Sequence, residues 1–219
     1  MPPSLSGDLL LALAGFAFVT SVSPGPGNLL LLASGVNFGF RRSLPLILGI
    51  SLGFLTMVFL VGMGLGPLLQ AYPPIYAVLK VVCVGYVLWL AWKIARAAPN
   101  GPAPALGQAG DNKAARPFGF LQAALLQWLN PKAWAVALIV SVSYAAPAPG
   151  AGPLDIAGGL LLVILCFACV NLPSISLWAI SGVALRWLFD DPRRLRRFNI
   201  AMAILLVLSM APVVLSISA

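Results

Sequence analysis

Of the 219 residues, 61% come from the set AVILMFWYC and only 8% are charged, with a mean hydropathy of +1.01. A soluble domain is roughly 45–50% apolar and about 25% charged, so a soluble globular protein, a disordered chain and a cytosolic enzyme are all excluded. The composition is that of a polytopic membrane protein. The net charge of +8 comes from 13 Lys and Arg against five acids, all Asp, and histidine is absent, which removes His-based catalysis, His metal ligation and a His proton switch. The basic residues lie between apolar runs rather than in one stripe or tail, a distribution that orients membrane proteins and does not read nucleic acid.

A membrane span needs roughly 20 apolar residues. Run 1 extends from Asp8 to about Val36 and is interrupted by Ser23-Pro24-Gly25-Pro26-Gly27-Asn28. Leu9 to Thr20 is similar to the apolar core of a signal peptide, but its start carries Asp8 and no Lys or Arg, and Pro24 would follow the cut; a retained first span is expected. Run 2 is Leu44 to about Gly66, followed by a turn punctuated by Pro67 and Pro73-Pro74. Run 3 is Ile75 to Ala95. Run 4, Phe118 to about Tyr144, is interrupted by Asn130-Pro131-Lys132, and a Pro/Ala/Gly turn follows it. Run 5, Leu154 to Leu188, carries a third candidate break near Asn171-Leu172-Pro173, and run 6 is Phe198 to Ser218.

The basic residues then fix an orientation. Arg41 and Arg42 lie between runs 1 and 2; Lys93, Arg96, Lys113 and Arg116 surround the 3–4 linker; Arg186, Arg193, Arg194, Arg196 and Arg197 lie between runs 5 and 6. The termini and the other two turns carry none. The positive-inside rule puts the charged loops in the cytoplasm and both termini outside. Residues 97–116, rich in Pro, Gly and Ala, read as a cytoplasmic linker between a first three-helix repeat at 1–96 and a second at 117–219. Halves with an odd number of spans face opposite ways, which is inverted-repeat geometry. The expected fold is therefore an all-α integral membrane protein of six transmembrane helices in two inverted repeats, with helices 1 and 4 broken.

The breaks correspond. The first begins 15 residues after Asp8 and the second 13 residues after Pro117, and matched interruptions of this kind point to a transport site. Pro24, Pro26 and Pro131 lack an N–H and free carbonyls one turn back. A new helix start presents N–H groups that favour a carboxylate. An amino-acid zwitterion needs this pairing. Asn28 and Asn130 donate and accept, Gln127 sits one turn before Pro131, and Gln122 is higher on the same span. Lys132 is the basic residue nearest the middle of a span, a costly position that is functional by default; it suits a substrate carboxylate or a proton carrier. The candidate substrate-binding residues are thus Ser23, Pro24, Gly25, Pro26, Asn28, Gln127, Asn130, Pro131, Lys132 and Asn171. A proline kink packed on a neighbour is the competing reading of each break.

Other residues have blander roles. Lys80, five residues into run 3, is expected to snorkel. Asp8 and Asp155 begin runs and suit helix N-termini. Gly49 with Gly53, and Gly62 with Gly66, are small-xxx-small pairs for close helix contact. Trp89 and Trp92 read as interface anchors. Cys83, Cys166 and Cys169 lie in apolar runs, where cysteine packs as a small apolar residue. No metal or cofactor is called for.

Ser23-Pro24-Gly25-Pro26-Gly27-Asn28, with Gly39-Phe40-Arg41-Arg42 beyond it, resembles the first-span signature of the LysE/RhtB amino-acid exporters. Gly49-Ile50-Ser51-Leu52-Gly53, the stretch Gly85 to Lys93, and Leu129-Asn130-Pro131-Lys132-Ala133-Trp134 resemble the second, third and fourth spans. The resemblance runs from about residue 8 to 215. It implies an exporter of amino acids or their derivatives in the bacterial inner membrane, driven by proton exchange. Gly53-Phe54-Leu55 and Trp89-Leu90-Ala91-Trp92-Lys93 look most like the cysteine and O-acetylserine branch. Two departures stand out. The usual Pro-Gly-Pro-Asn is here Pro-Gly-Pro-Gly-Asn, and Phe54 occupies a position where many members carry an acid or amide.

Three other readings compete. An intramembrane enzyme would need more than Ser34-Gly35 and Ser181-Gly182, which lack any His partner. A membrane scaffold or a passive channel for small zwitterions would not need matched breaks flanked by Asn and Lys. The implied partners are a small-molecule substrate and the lipid bilayer; the sequence leaves a homodimer open.

Overall fold

A computed structural model describes residues 7–66, 71–96, 117–144, 152–185, 187 and 191–208, and every regular element among them is helical. The first apolar run forms α1 (Gly7–Val22), with Asp8 in the first turn where the helix dipole favours an acid, and α2 (Pro26–Phe38), with Pro26 at its first turn. The two meet at 57°. Gly39, at φ +79°, takes the left-handed turn that starts α3 (Phe40–Leu60). A π-helical turn, Val61–Leu65, prolongs α3 and holds Gly64 at φ +136°. Then come α4 (Pro73–Ala95), α5 (Phe120–Trp128), α6 (Pro131–Tyr144), α7 (Pro153–Ala184) and α8 (Pro192–Leu208). Helices α5 and α6 are bent by 71° at their break.

Phe40–Leu65 and Leu154–Ala184 are long and apolar enough to cross a membrane, and the count rises to four when each bent pair is one span. The all-helical, apolar architecture is that of a membrane protein. Its outer surface carries large apolar side chains, among them Leu11, Val19, Leu121, Leu154 and Trp187, as a lipid-facing surface must.

Helices α3 and α7 form the centre. Helix α3 packs against α2, α5, α6 and α7, and α7 packs against α1, α2 and α3, while α4 and α8 pair with each other. Glycines set the closest approaches. A Cβ on Gly35 would lie 2.1 Å from the Ala179 carbonyl oxygen, and one on Gly182 would lie 2.2 Å from that of Leu32. Ser34-Gly35 and Ser181-Gly182 therefore mark where α2 crosses α7, a packing device and not a nucleophile motif. Gly49 and Gly53 bring α3 onto α5 in the same way, and Gly62 receives Leu160 of α7; Gly66 lies instead against its own turn at Val61.

Two apolar cores result. One gathers Leu31, Leu46, Ile47, Leu126, Ile175 and Leu206, with Phe40, Ala95 and Phe118 against it. The other gathers Leu13, Met57, Val58, Val140, Val163 and Phe167, with Leu65, Leu79 and Tyr144 against it.

The structure corrects two expectations. The third candidate break does not occur: α7 runs unbroken through Asn171, Leu172 and Pro173. One proline removes one helical bond, and hydroxyls shore up the neighbouring turns, Ser174 Oγ donating to the Val170 carbonyl at 2.7 Å and Ser176 Oγ to that of Leu172 at 2.7 Å. Helices α1, α2 and α3 pack on the same helix. Secondly, the cysteines are not alike. Cys83 is buried and directs its Sγ at the Trp128 carbonyl, but Cys169 is exposed on the outer surface of α7. The side chains of Lys80 and Lys93, the whole linker at 97–116 and the end of run 6 lie outside the described residues.

Candidate functional site

The chain turns at both breaks for the same local reason. Pro26 and Pro131 each occupy the first position of a new helix, where the missing N–H costs nothing. They start helices instead of kinking one, and the preceding carbonyls are left without helical donors. Those of the first break are claimed from within the protein. Asn28 Nδ2 donates to the Ser21 carbonyl at 2.7 Å and to the Ser23 carbonyl at 2.9 Å. Lys132 Nζ, from the other broken pair, donates to the Ser23 carbonyl at 2.7 Å and Ser23 Oγ at 2.8 Å. Its stem lies on Gly25, where a Cβ would come within 2.9 Å of Lys132 Cδ. Gly25 itself has extended backbone, so it is the lysine's passage that calls for glycine.

The second break is tied more tightly. Asn130 Oδ1 accepts the Lys132 backbone N–H at 3.1 Å and so caps α6, while Asn130 Nδ2 donates to Gln127 Oε1 at 3.2 Å. Trp134 Nε1 donates to the Trp128 carbonyl at 2.9 Å, with the two rings edge to face at 5.6 Å. The first break has no such cap: no side chain caps α2, whose first helical bond runs from Leu29 N–H to the Gly25 carbonyl.

A third strand of polar contacts crosses the centre. Asn171 Nδ2 donates to Ser21 Oγ at 2.9 Å and its Oδ1 accepts from Ser51 Oγ at 3.1 Å, linking α7 to α1 and α3. All three residues are buried. In an apolar protein this chain of contacts is costly unless complete, and here each member is satisfied.

These groups surround one cavity of about 60 Å³, space for roughly four to six waters at 10–15 Å³ each. Of the residues expected from sequence, Gly25, Asn28, Gln127, Asn130, Lys132 and Asn171 line it. Ser23, Pro24, Pro26 and Pro131 do not; they shape the breaks, and Ser23 anchors the lysine. Gln122 stands apart, accepting the Gly119 N–H at the start of α5. The sequence reading missed Thr20, Ser21, Gly27 and an apolar wall that includes Ile50, Phe54, Val136 and Phe167. Phe54 and Phe167 pack ring on ring at 5.1 Å. The Ile50–Phe54 spacing of one helical turn was the available signal for half of that wall; Phe167 carried none. The cavity sits at the seam of the two cores, since Ile50 and Ile175 belong to one and Phe54 and Phe167 to the other. Lys132 is the one cationic side chain lining it, and no carboxylate lines it, among the described residues.

The LysE type translocator family matches the chain over residues 18–215. The chain belongs to that family. As a LysE type translocator it is a transport protein and not an enzyme. Relatives of this translocator include the cysteine/O-acetylserine efflux protein of Salmonella typhimurium (strain LT2), 32% identical over 200 residues that cover 91% of this chain and 94% of the relative. The protein of the same description from Escherichia coli (strain K12) is 30% identical over 204 residues, 93% of this chain and 96% of the relative. No solved structure matches the chain.

Proposed function

We propose that this LysE type translocator exports cysteine, O-acetylserine or a similarly small amino acid across the bacterial inner membrane. It does so by alternating access, around a site formed by the residues of the two breaks and Asn171. The observation that carries the reading is the contact of Lys132 with Ser23, which joins the two broken helix pairs beside the cavity that Lys132 lines. Discontinuous helices meeting at the middle of a membrane protein are the usual setting of a transporter site. The substrates named for the relatives are small zwitterions.

We propose likewise that the chain makes six spans in two inverted repeats, and the pattern of helix contacts supports it. Exchanging α1, α2, α3 and α4 for α5, α6, α7 and α8 turns the α2–α7 contact into α6–α3, α3–α5 into α7–α1, and α2–α8 into α6–α4, all of which occur. The α3–α7 and α4–α8 contacts map onto themselves. The α2–α3, α5–α6 and α1–α6 contacts have no counterpart of comparable extent. Charge supports an orientation with both termini outside. Phe40, Ala95 and Phe118, next to basic residues of two of the three charged segments, pack on one core. Leu13, Leu65, Leu79 and Tyr144 pack on the other, where the loops are uncharged.

Proton exchange follows from mutual exclusion at Ser23. A substrate ammonium and the Lys132 ammonium seek the same two acceptors. Substrate entering from the cytoplasm displaces the lysine, which gives up a proton; a proton arriving from outside restores the lysine to Ser23 and expels the substrate. One proton moves in for each zwitterion moved out. Proteoliposomes test this with a Lys132→Met variant. Wild type should release cysteine faster under an inward proton gradient, whereas Lys132→Met should lose that response and keep gradient-free exchange of labelled for unlabelled cysteine. A gradient response undiminished in Lys132→Met overturns the coupling scheme. A wild type that transports none of the amino acids overturns the whole reading.

A further inference from the structure

The cavity has a second pole, opposite in chemistry to the Ser23 acceptors. Helix α2 is 13 residues long and begins with Gly25 as an N-cap that offers no side chain. Pro26 has no N–H, and the first helical bond enters at Leu29, so the N–H groups of Gly27 and Asn28 open the helix with its positive dipole end uncapped. Helix α6 differs, because Asn130 caps it.

An independent observation falls at the same place. Gln127 is 3% exposed, and its Nε2 has no hydrogen-bond partner. Its Oε1 accepts from Asn130, which leaves the amide nitrogen as the donor without a partner. A Cβ on Gly27 would lie 3.5 Å from that nitrogen. An unsatisfied buried amide donor is costly, and its place beside an uncapped helix start calls for an anionic acceptor.

We infer that the Gly27 and Asn28 N–H groups together with Gln127 Nε2 form the subsite for the substrate's α-carboxylate. This rests on the reading of the chain as an amino-acid exporter and deepens it. The zwitterion then takes the place of the Lys132 ammonium, its own ammonium on the Ser23 oxygens beyond the cavity lining and its carboxylate on the first turn of α2, with its side chain towards Phe54, Val136 and Phe167. The inserted glycine of Pro24-Gly25-Pro26-Gly27-Asn28 gains a purpose. With no side chain at position 27, the carboxylate reaches both the helix start and the glutamine.

The test compares cysteine with cysteamine, which keeps the ammonium and thiol and lacks the carboxylate, by competition for cysteine binding to detergent-purified protein. One hydrogen bond to a charged group corresponds to a preference of about 12- to 140-fold, so wild type should favour cysteine by at least that much. Gln127→Leu should lower the preference by about that factor, the Gly27 and Asn28 N–H groups remaining. Gly27→Ala should do the same with less disturbance of the fold, since its added methyl meets Gln127 Nε2 and Ile50 at ordinary contact distance, 3.5 Å for both. If Gln127→Leu does not purify as a folded protein, Gly27→Ala decides. Wild-type preference for cysteine that persists unchanged in the folded variants overturns the subsite and leaves the transport reading standing. A wild type that binds cysteamine as tightly as cysteine also overturns it. A wild type that binds and transports no amino acid overturns both.

Discussion

The crossing of α2 and α7 can be tested with a single methyl group. In Gly35→Ala the new Cβ would start 2.1 Å from the Ala179 carbonyl oxygen, against 3.4 Å where ordinary contact begins, so the helices must part by 3.4 − 2.1 = 1.3 Å. The obstructing atom is backbone and cannot rotate aside. A gap of 0.5–1 Å already forfeits a quarter to a half of each van der Waals contact, and α2 and α7 touch along an extended face. Overpacking of this kind costs about 1–3 kcal/mol; the rigid obstacle places Gly35→Ala near 3 kcal/mol. Better helix propensity returns about 1 kcal/mol. The net loss of about 2 kcal/mol corresponds to a melting temperature roughly 4–8 °C lower in a chain of this size. Thermal unfolding in detergent checks it, with Gly15→Ala and Gly85→Ala as controls, since nothing lies within 4 Å of a Cβ at either position. Efflux should fall with stability, because α2 carries the uncapped helix start and α7 carries Asn171. If Gly35→Ala melts together with the two controls, the close-approach argument is wrong.

Three further outcomes are expected. Asn171→Leu preserves volume but strands the buried Ser21 and Ser51 hydroxyls, at about 1–3 kcal/mol each; it should lower the melting temperature more than Asn171→Asp, which keeps an acceptor for Ser51, and both should slow efflux. In single-cysteine variants a small membrane-permeant maleimide should modify Cys169 in the folded protein and reach buried Cys83 only after unfolding; equal rates by mass spectrometry would contradict the packing. For topology, an impermeant maleimide applied to intact cells should label Asp8→Cys and spare Arg194→Cys, and the reverse pattern would invert the proposed orientation.

Several of these features were legible in the chain before any coordinates. Proline is a local rule: Pro26 and Pro131 cannot sit inside a continuous helix without cost, so both breaks were readable, as were Asn28, Asn130, Gln127 and Lys132 around them. Composition announced lipid as the solvent. Small residues at positions 49 and 53 announced a close helix contact. Pro173 shows the limit of the same rule. Its neighbours' hydroxyls bond the adjacent carbonyls and three helices pack on α7, and no local signal distinguishes that outcome from a break.

The pairing of groups across the chain was a matter for tertiary structure alone. Nothing in the order of residues says that Lys132 reaches Ser23, that Asn171 joins Ser21 to Ser51, or that Phe54 and Phe167 close one wall. The freed carbonyls of the first break could be expected from sequence, but not that Asn28 and Lys132 would claim them. Nor could one tell that Asn130 would cap its helix while α2 stayed open. Solvent and backbone chemistry act on each residue where it stands, so sequence specifies the helices, their breaks and the surface that meets lipid. Which donor finds which acceptor depends on how those helices cross, and that is set by steric fit between faces far apart in the chain.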